Sequence, residues 1–285
     1  MSTQPQYSLS GSSAEMYEQN MVPAIFAPFA KGLLECAQLR AGEHLLDVAC
    51  GTGIVARQAW AQVAPSGRVV GVDVNGAMLD VARRAAERDQ ASVEWREGDA
   101  KSLPLEDETI DVVLCQHGLQ YFPERKAALA EMRRVLRRSG RLVLSVWRPL
   151  QHNPSHAVLA EVLERRVSAE AAATRRAPFA LSDRDEIRSW VADARFRDVT
   201  VRLDARVVRF PSAEAMIRMM MAGTPLAAAM AKADASALQT VISEVTTGLG
   251  PYTDDLGLAV PMQCWLVTAD AYAGCDPAGV TVRGL

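Results

Sequence analysis

The chain has no cysteine pair at redox or metal-motif spacing, no apolar run long enough to cross a bilayer and no surplus of basic charge. Each absence removes a class of function. Cys36, Cys50, Cys115, Cys264 and Cys275 form no C-x-x-C pair, so reduced, buried thiols are expected, with neither a disulfide frame nor a zinc site. The longest apolar stretch near the N-terminus, residues 21–30, carries two prolines and is far too short to span a membrane. The N-terminus is polar and lacks a positively charged start before an apolar core, so no signal peptide is expected and the compartment is read as cytoplasmic. A net charge of −3 and a pI near 5.9 argue against a general affinity for nucleic acid or anionic membranes. There is no internal repeat, no low-complexity linker and no visible cluster of metal ligands, which disfavours a metal-dependent mechanism.

What is present is an alternation of strand and helix patterns. Its organising stretch is Leu45-Leu46-Asp47-Val48-Ala49-Cys50-Gly51-Thr52-Gly53, an apolar run closed by two glycines and followed at once by a helical pattern at 54–60. This reads as a buried strand, a tight turn and a helix N-terminus, with glycine permitting a positive φ and letting a ligand approach the backbone. A helix over 53–64 is stopped by Pro65-Ser66-Gly67, and strand 68–73 ends in Asp73, where an acid can read a ribose diol. Helix 76–89, strand 92–96 and strand 110–115 follow. The helix opened by Pro123 is expected to end with Gly140 in its C′ position, ahead of strand 141–147. Strands separated by helices imply right-handed crossovers and a parallel sheet covered on both faces.

Outside this alternation lie two helical covers. Residues 1–13 are polar, and Tyr17, Val22, Ile25, Phe26, Phe29, Leu33 and Leu34 then form an apolar stripe broken by Pro23 and Pro28. Helices are expected at 155–174 and after Leu181-Ser182-Asp183, and a half-exposed strand at 199–210. A methionine-rich helical segment follows at 212–249, with Met216, Met219, Met220, Met221 and Met230 clustered. A last strand, 258–268, carries Pro261 near its start and is therefore placed beside an edge or a bulge. The organisation read from this is an N-terminal helical lid (1–40), an α/β core (41–210), a helical lid insertion (211–257), and the last core strand with a tail (258–285).

The turn Gly51-Thr52-Gly53-Ile54-Val55-Ala56 also fits a dinucleotide fingerprint. Three features decide against one. Asp47, four residues before the first glycine, opposes a pyrophosphate and welcomes an amino group. Asp99, in Gly98-Asp99-Ala100, puts a second acid at the ligand edge of the sheet. No Tyr-x-x-x-Lys pair is present to polarise a carbonyl. The preferred ligand is therefore adenosylmethionine over a nicotinamide.

The motif 46–53 resembles the first motif of class I S-adenosylmethionine-dependent methyltransferases. The resemblance continues through Val72-Asp73, Gly98-Asp99-Ala100, Phe122-Pro123-Glu124-Arg125, Glu131-Met132-Arg133-Arg134-Val135-Leu136 and Ser139-Gly140-Arg141-Leu142, in the ubiquinone/menaquinone-methyltransferase-like branch. It covers about residues 40–150 well. It implies a doubly wound, mostly parallel seven-stranded sheet with N-terminal and C-terminal lid insertions. It also implies a cofactor site in which Ala49, Gly51 and Gly53 hold the methionine part and Asp47 lies near its ammonium. Asp73 would accept from the ribose hydroxyls, Val74 and Met78 would pack on adenine, Asp99 and Ala100 would meet its edge, and Gln116 would lie near the sulfonium. Ala49 stands where glycine is common in the family, a departure expected to be mild.

For catalysis the candidates are His117, directly after strand 110–115, and Tyr121 behind it, since imidazole suits a base at neutral pH. His152 and His156 are weaker candidates, and His44 lies at the wrong edge of the sheet. Tyr17, Phe26, His117 and Met220 are the expected acceptor-binding residues, the methionines being an adaptable apolar wall. The expected activity is in-line methyl transfer to an O, N or C nucleophile of a small aromatic or heterocyclic metabolite. Quinone- or lipid-precursor C-methylation and non-catalytic adenosylmethionine binding are the alternatives. A small-molecule partner is expected, without nucleic acid or membrane insertion, and a homodimer is left open.

Overall fold

A computed structural model describes residues 11–222 and 235–272. Helix α1 (Gly11–Met16), a π-helical turn sequence (Tyr17–Phe26) and α2 (Ala27–Ala37) lead into the β–α alternation. The alternation runs β1 (His44–Val48), α3 (Ile54–Val63), β2 (Arg68–Asp73), α4 (Gly76–Arg88), β3 (Glu94–Glu97), β4 (Ile110–Gln116), α5 (Arg125–Val135) and β5 (Leu136–Trp147). Helices α6 (Pro154–Arg166), α7 (Ala169–Arg176) and α8 (Arg184–Asp193) precede β6 (Arg197–Phe210). Then come α9 (Ala213–Ala222), α10 (Ala235–Gly248), β7 (Thr253–Asp254) and β8 (Gly257–Asp270).

The sheet order is β3-β2-β1-β4-β5-β8-β6, with the two-residue β7 added beside β8. The first five strands are parallel, and β8 runs antiparallel to both β5 and β6. The sheet is thus the expected doubly wound, mostly parallel one: seven strands along its path and one short eighth. Alternation along the strands explains its two buried faces. Leu46, Val48, Val70, Val72 and Val113 pack with Leu129 and Met132 of α5, while Leu45, Val69, Val112 and Leu114 pack with Leu33, Leu34, Val55 and Ala59 of α2 and α3. Chain order reverses between β1 and β4, so a crevice opens beyond their carboxyl ends.

Three boundaries differ from the sequence reading. Gly140 does not end a helix: α5 stops at Val135, Leu136 already pairs with Ile110, and the ladder resumes only at Val112 and Arg141. A Cβ on Gly140 would stand 3.0 Å from the Asp111 carbonyl oxygen, so the residue is a close-approach glycine inside an irregular strand. The helix expected over 155–174 is two helices, because Ser168 caps α7 by accepting from the Ala171 N–H at 3.1 Å. The segment expected at 212–249 is described as α9 and α10, with Met230 outside the described residues. Pro261 pairs with Val207 beyond the point where β5 pairing ends, at Trp147 and Cys264, so its missing N–H interrupts no ladder on that side.

Cys36, Cys50, Cys115 and Cys264 are free thiols. Cys275 lies outside the described residues. Among the described residues no helix is long and apolar enough to cross a membrane, and no three His, Cys, Asp or Glu side chains group as a metal site.

Candidate active site

The elbow after β1 forms one wall of the crevice. Ala49 and Gly51 have φ of +55° and +56°, and Gly53 has +80°. A Cβ on Gly51 would meet nothing within 4 Å, so its glycine leaves the backbone open toward the crevice. A Cβ on Gly53 would instead run into the Trp95 ring. Gly53 is thus a packing glycine at the start of α3, and it is not among the residues that line the cavity. Ala49 sits in the left-handed region, which costs an alanine about 1–2 kcal/mol. Its methyl sits 2.8 Å from where a Cβ on Gly118 would be, which keeps residue 118 a glycine.

Beyond the elbow lies a cavity of about 300 Å³, continuous in its lining with a smaller chamber of about 30 Å³. Asp73, at the end of β2, accepts from the Gly51 N–H through Oδ2 (2.8 Å) and from the Asn75 N–H through Oδ1 (2.9 Å). The carboxylate therefore braces the elbow and α4's N-terminus together while facing the cavity. Val74, Met78, Asp99 and Ala100 line the same end. Asp99 also accepts from the Lys101 N–H at 3.1 Å, so it closes its own turn as well.

Asp47 lines the smaller chamber. It is 1 % exposed; Oδ2 accepts from the Ala56 N–H at 3.1 Å, and Oδ1 has no partner. Burial, aided by the charge of Asp73, pushes its carboxyl up to about 8. A buried acceptor without a donor is costly, and the donor set of an ammonium would satisfy it.

The Tyr17–Phe26 segment roofs both spaces. Gln116 Nε2 donates to the Phe26 carbonyl at 2.9 Å, and the Tyr17 and Phe26 rings lie 5.0 Å apart, both lining the cavity. The roof is tied down by a buried pair: Arg57 Nη2 donates to Glu18 Oε1 at 2.8 Å, and Arg57 also pairs with Asp89. Arg88 reaches Glu18 at 3.3 Å, and Arg84 pairs with Glu15 at 2.9 Å. Neither Glu18 nor Arg57 stands out in the sequence, because their pairing joins residues 39 apart through the fold.

The other end of the cavity is aromatic. His117 has φ of +52° and its ring stacks on Trp147 (3.7 Å, 8°), with Phe29 edge-on at 5.8 Å. Its Nδ1 faces Ser145 Oγ at 3.5 Å, and Nε2 has no partner. Burial lowers its pKa to about 3, so the imidazole stays neutral and is a weak base at neutral pH. The residue expected as general base therefore lines the cavity as a neutral ring with Nε2 unpartnered. A ¹³C- or ¹⁵N-detected titration of the His117 ring is expected to show no midpoint between pH 5 and 8; a midpoint near 6.5 would restore it as a base.

Tyr121 lines the cavity, and burial raises its phenol above the ordinary range. His152 contacts Arg148 at 3.1 Å, and neither it nor His156 lines the cavity. The backbone N–H of His44 donates to Asp111 at the opposite edge. Met220, expected in the acceptor pocket, is fully buried in a core cluster with Met216, Ile217, Ile25 and Phe29. Met216, Met219, Met220 and Met221 pack the covers onto the sheet, as helical spacing of apolar residues usually does. Trp147 was missed: it closes β5, and only β5's place beside β4 brings it to His117.

Residues 46–144, about a third of the chain, match the methyltransferase domain family, which bears out the resemblance over that span. The chain is 44% identical over 106 residues to the demethylmenaquinone methyltransferase of Deinococcus radiodurans, covering 37% of this chain and 44% of that one. It is 37% identical over 121 residues to the ubiquinone/menaquinone biosynthesis C-methyltransferase of Idiomarina loihiensis (41% and 48%). The chain spans less than half the length of these curated relatives. Among solved structures, phosphoethanolamine N-methyltransferase 2 of Haemonchus contortus, in complex with S-adenosyl-L-methionine, superposes with a TM-score of 0.60 at 16% identity. That match covers 93% of this chain and 58% of that one and establishes the fold.

Proposed function

We propose that this chain is an S-adenosylmethionine-dependent methyltransferase acting on a small aromatic acceptor. The observation that carries the reading is one continuous cavity with an acid-braced glycine elbow at one end and an aromatic box at the other. The residues fit the cofactor: Asp73 offers carboxylate lone pairs to a ribose diol, Gly51 leaves room at the backbone, and Asp47 Oδ1 waits for a donor. Val74 and Met78 give an apolar platform for adenine, and Asp99 and Ala100 flank its edge.

Bound S-adenosylmethionine supplies an activated methyl group on a sulfonium. The chain's own part is alignment and exclusion of water. Tyr17 and Phe26 close the roof, Gln116 latches it to the end of β4, and His117 with Trp147 forms a flat wall for the acceptor. Residues 1–40 and 211–257 serve in this reading as covers on the 41–210 core. Neutral His117 is a hydrogen-bond partner for the acceptor, while Tyr121 is the remaining group able to relay a proton.

Asp47 gives this reading a pH signature. Its raised pKa favours the folded, protonated form, so its contribution to stability falls as pH rises from its ordinary 3.8 to about 8. An ammonium beside Oδ1 favours the carboxylate. Binding S-adenosylhomocysteine at pH 7 is therefore expected to release up to about one proton. Calorimetry in buffers of different ionisation enthalpy measures this, and Asp47→Asn should abolish it. No release from the unaltered chain would contradict the assignment.

The activity itself is tested by incubating the chain with methyl-labelled S-adenosylmethionine and a panel of phenols, heteroaromatics and quinone precursors. Label in an aromatic product supports the proposal; cofactor binding with no product from any acceptor supports a non-catalytic role. The names of the curated relatives favour, as a second reading, C-methylation of a quinone precursor. Label on ring carbon instead of oxygen or nitrogen would distinguish it.

A further inference from the structure

The sheet ends on an open edge far from the methyl-transfer chemistry. Strand β6 is the last in the sheet order and pairs on one side only, with β8. Which of its residues bond that neighbour follows from β8. The Gln263 carbonyl accepts from the Arg148 N–H, and the Gln263 N–H donates to Asn153 Oδ1. Odd-numbered residues of β8 thus turn toward β5 and even-numbered ones toward β6. Asp204 stands opposite Cys264 and Arg206 opposite Met262, so the even-numbered residues of β6 take the ladder bonds. The N–H and C=O groups of Leu203, Ala205 and Val207 therefore point to the free edge, and among the described residues nothing pairs with them.

The side chains say how much of this edge is available. Arg184 and Arg188 of α8 donate to the Val201 and Val199 carbonyls, both at 3.2 Å, which closes the edge before Leu203. Past that point Leu203 is 51 % and Val207 65 % exposed, large apolar side chains left in water. On the other face of the strand, Arg206 Nε donates to Asp204 Oδ1 at 2.7 Å. A Cβ on Gly32 of α2 would run into both of those side chains, so the pair is held in place against α2. Unpaired backbone groups beside exposed apolar side chains make a template for another strand.

We infer that this edge binds a second copy of the chain, β6 against β6, antiparallel about a two-fold axis at Ala205. The register follows from the side chains. With the axis at Ala205, Leu203 lies opposite the partner's Val207 and Asp204 opposite the partner's Arg206, each contact being made twice. Ala205 with its own copy and the two Leu203–Val207 pairs each exchange two backbone bonds, about six in all. An axis at Asp204 or at Arg206 would set like charges directly opposite, which is destabilising. An axis at Leu203 would need the Val199 and Val201 carbonyls that Arg188 and Arg184 occupy. An axis at Val207 would put Leu203 opposite Pro211, which has no N–H to give. The interface is independent of the methyltransferase reading.

A small interface of this kind is expected to give a dissociation constant of about 1–100 μM, and sedimentation velocity of the full chain across that range measures it. Leu203→Glu and Val207→Lys should each weaken the dimer tenfold or more, because a charge then faces an apolar side chain. The double variant Leu203→Glu, Val207→Lys sets a carboxylate against an ammonium twice across the axis. Its dimer should return to within threefold of the unaltered chain's, which only this register allows. Both positions are exposed, so the far-ultraviolet circular dichroism of the variants should match that of the unaltered chain. A monomer throughout the range, a dimer that either single variant leaves intact, or a double variant no tighter than the single ones would overturn the proposal. Should a single variant misfold, Ala205→Pro removes an N–H that faces the free edge and should also weaken the dimer tenfold or more. An unchanged dimer in that variant would overturn the proposal equally.

Discussion

Replacing Asp73 with alanine is expected to weaken S-adenosylhomocysteine binding by roughly 100-fold or more with little loss of secondary structure. Two effects add. The carboxylate is the acceptor offered to the ribose diol, and a hydrogen bond to a charged group is worth about 1.5–3 kcal/mol. The same two oxygens take the Gly51 and Asn75 N–H groups, so alanine also releases the elbow and the entry to α4. Asp73→Asn separates the two effects. An amide keeps one acceptor, but its NH₂ must face one of these two backbone donors, so its affinity should fall between the other two proteins. Calorimetric titration of the three proteins measures this, and a loss below threefold in Asp73→Ala would remove the ribose assignment.

The second large effect concerns the roof. Arg57→Met is expected to destabilise the chain by about 3 kcal/mol, because removing one partner of a buried ion pair leaves the other charged and desolvated. Glu18, 8 % exposed, would keep only Arg88 at 3.3 Å, and Asp89 would lose its partner on α3. The pair joins the Tyr17–Phe26 roof to the core, so the variant should also release S-adenosylhomocysteine faster. The double variant Glu18→Gln, Arg57→Met should recover part of the stability, since the charges it leaves without a partner, Asp89 and Arg88, are half-exposed and none is buried. Urea unfolding of the two variants beside the unaltered chain gives the comparison. A loss below about 1 kcal/mol in Arg57→Met would mean that the pair is not what holds the roof down.

The fold was legible where local rules and tertiary packing agree. Strands β1, β2 and β4 are mostly apolar between their ends, Asp47 and Asp111 apart, because both faces are covered, and Pro65, Gly67 and Pro123 punctuate them where the chain turns. The cofactor end was legible for the same reason: Gly51, Asp73 and Asp99 sit at fixed offsets from strand ends, and parallel register brings those ends together. Gly140 misled because a glycine after a helical pattern marks either a C-cap or a close backbone approach, and only the Asp111 carbonyl decides between them. The acceptor end was less legible. His117 was found by its place after β4, but its protonation depends on Trp147 and Phe29, which reach it from β5 and α2. Met220 was read as pocket because spacing alone does not say which cluster a helix face joins, and the roof and the core both offer one.

The decisive measurement for the cofactor site is a structure of the chain determined with S-adenosylhomocysteine. Both ribose hydroxyls are expected within about 3 Å of the Asp73 carboxylate and the amino group beside Asp47 Oδ1, with the sulfur facing His117 and Trp147. Nucleoside bound away from Asp73, or an elbow untouched at saturating ligand, would contradict this placement.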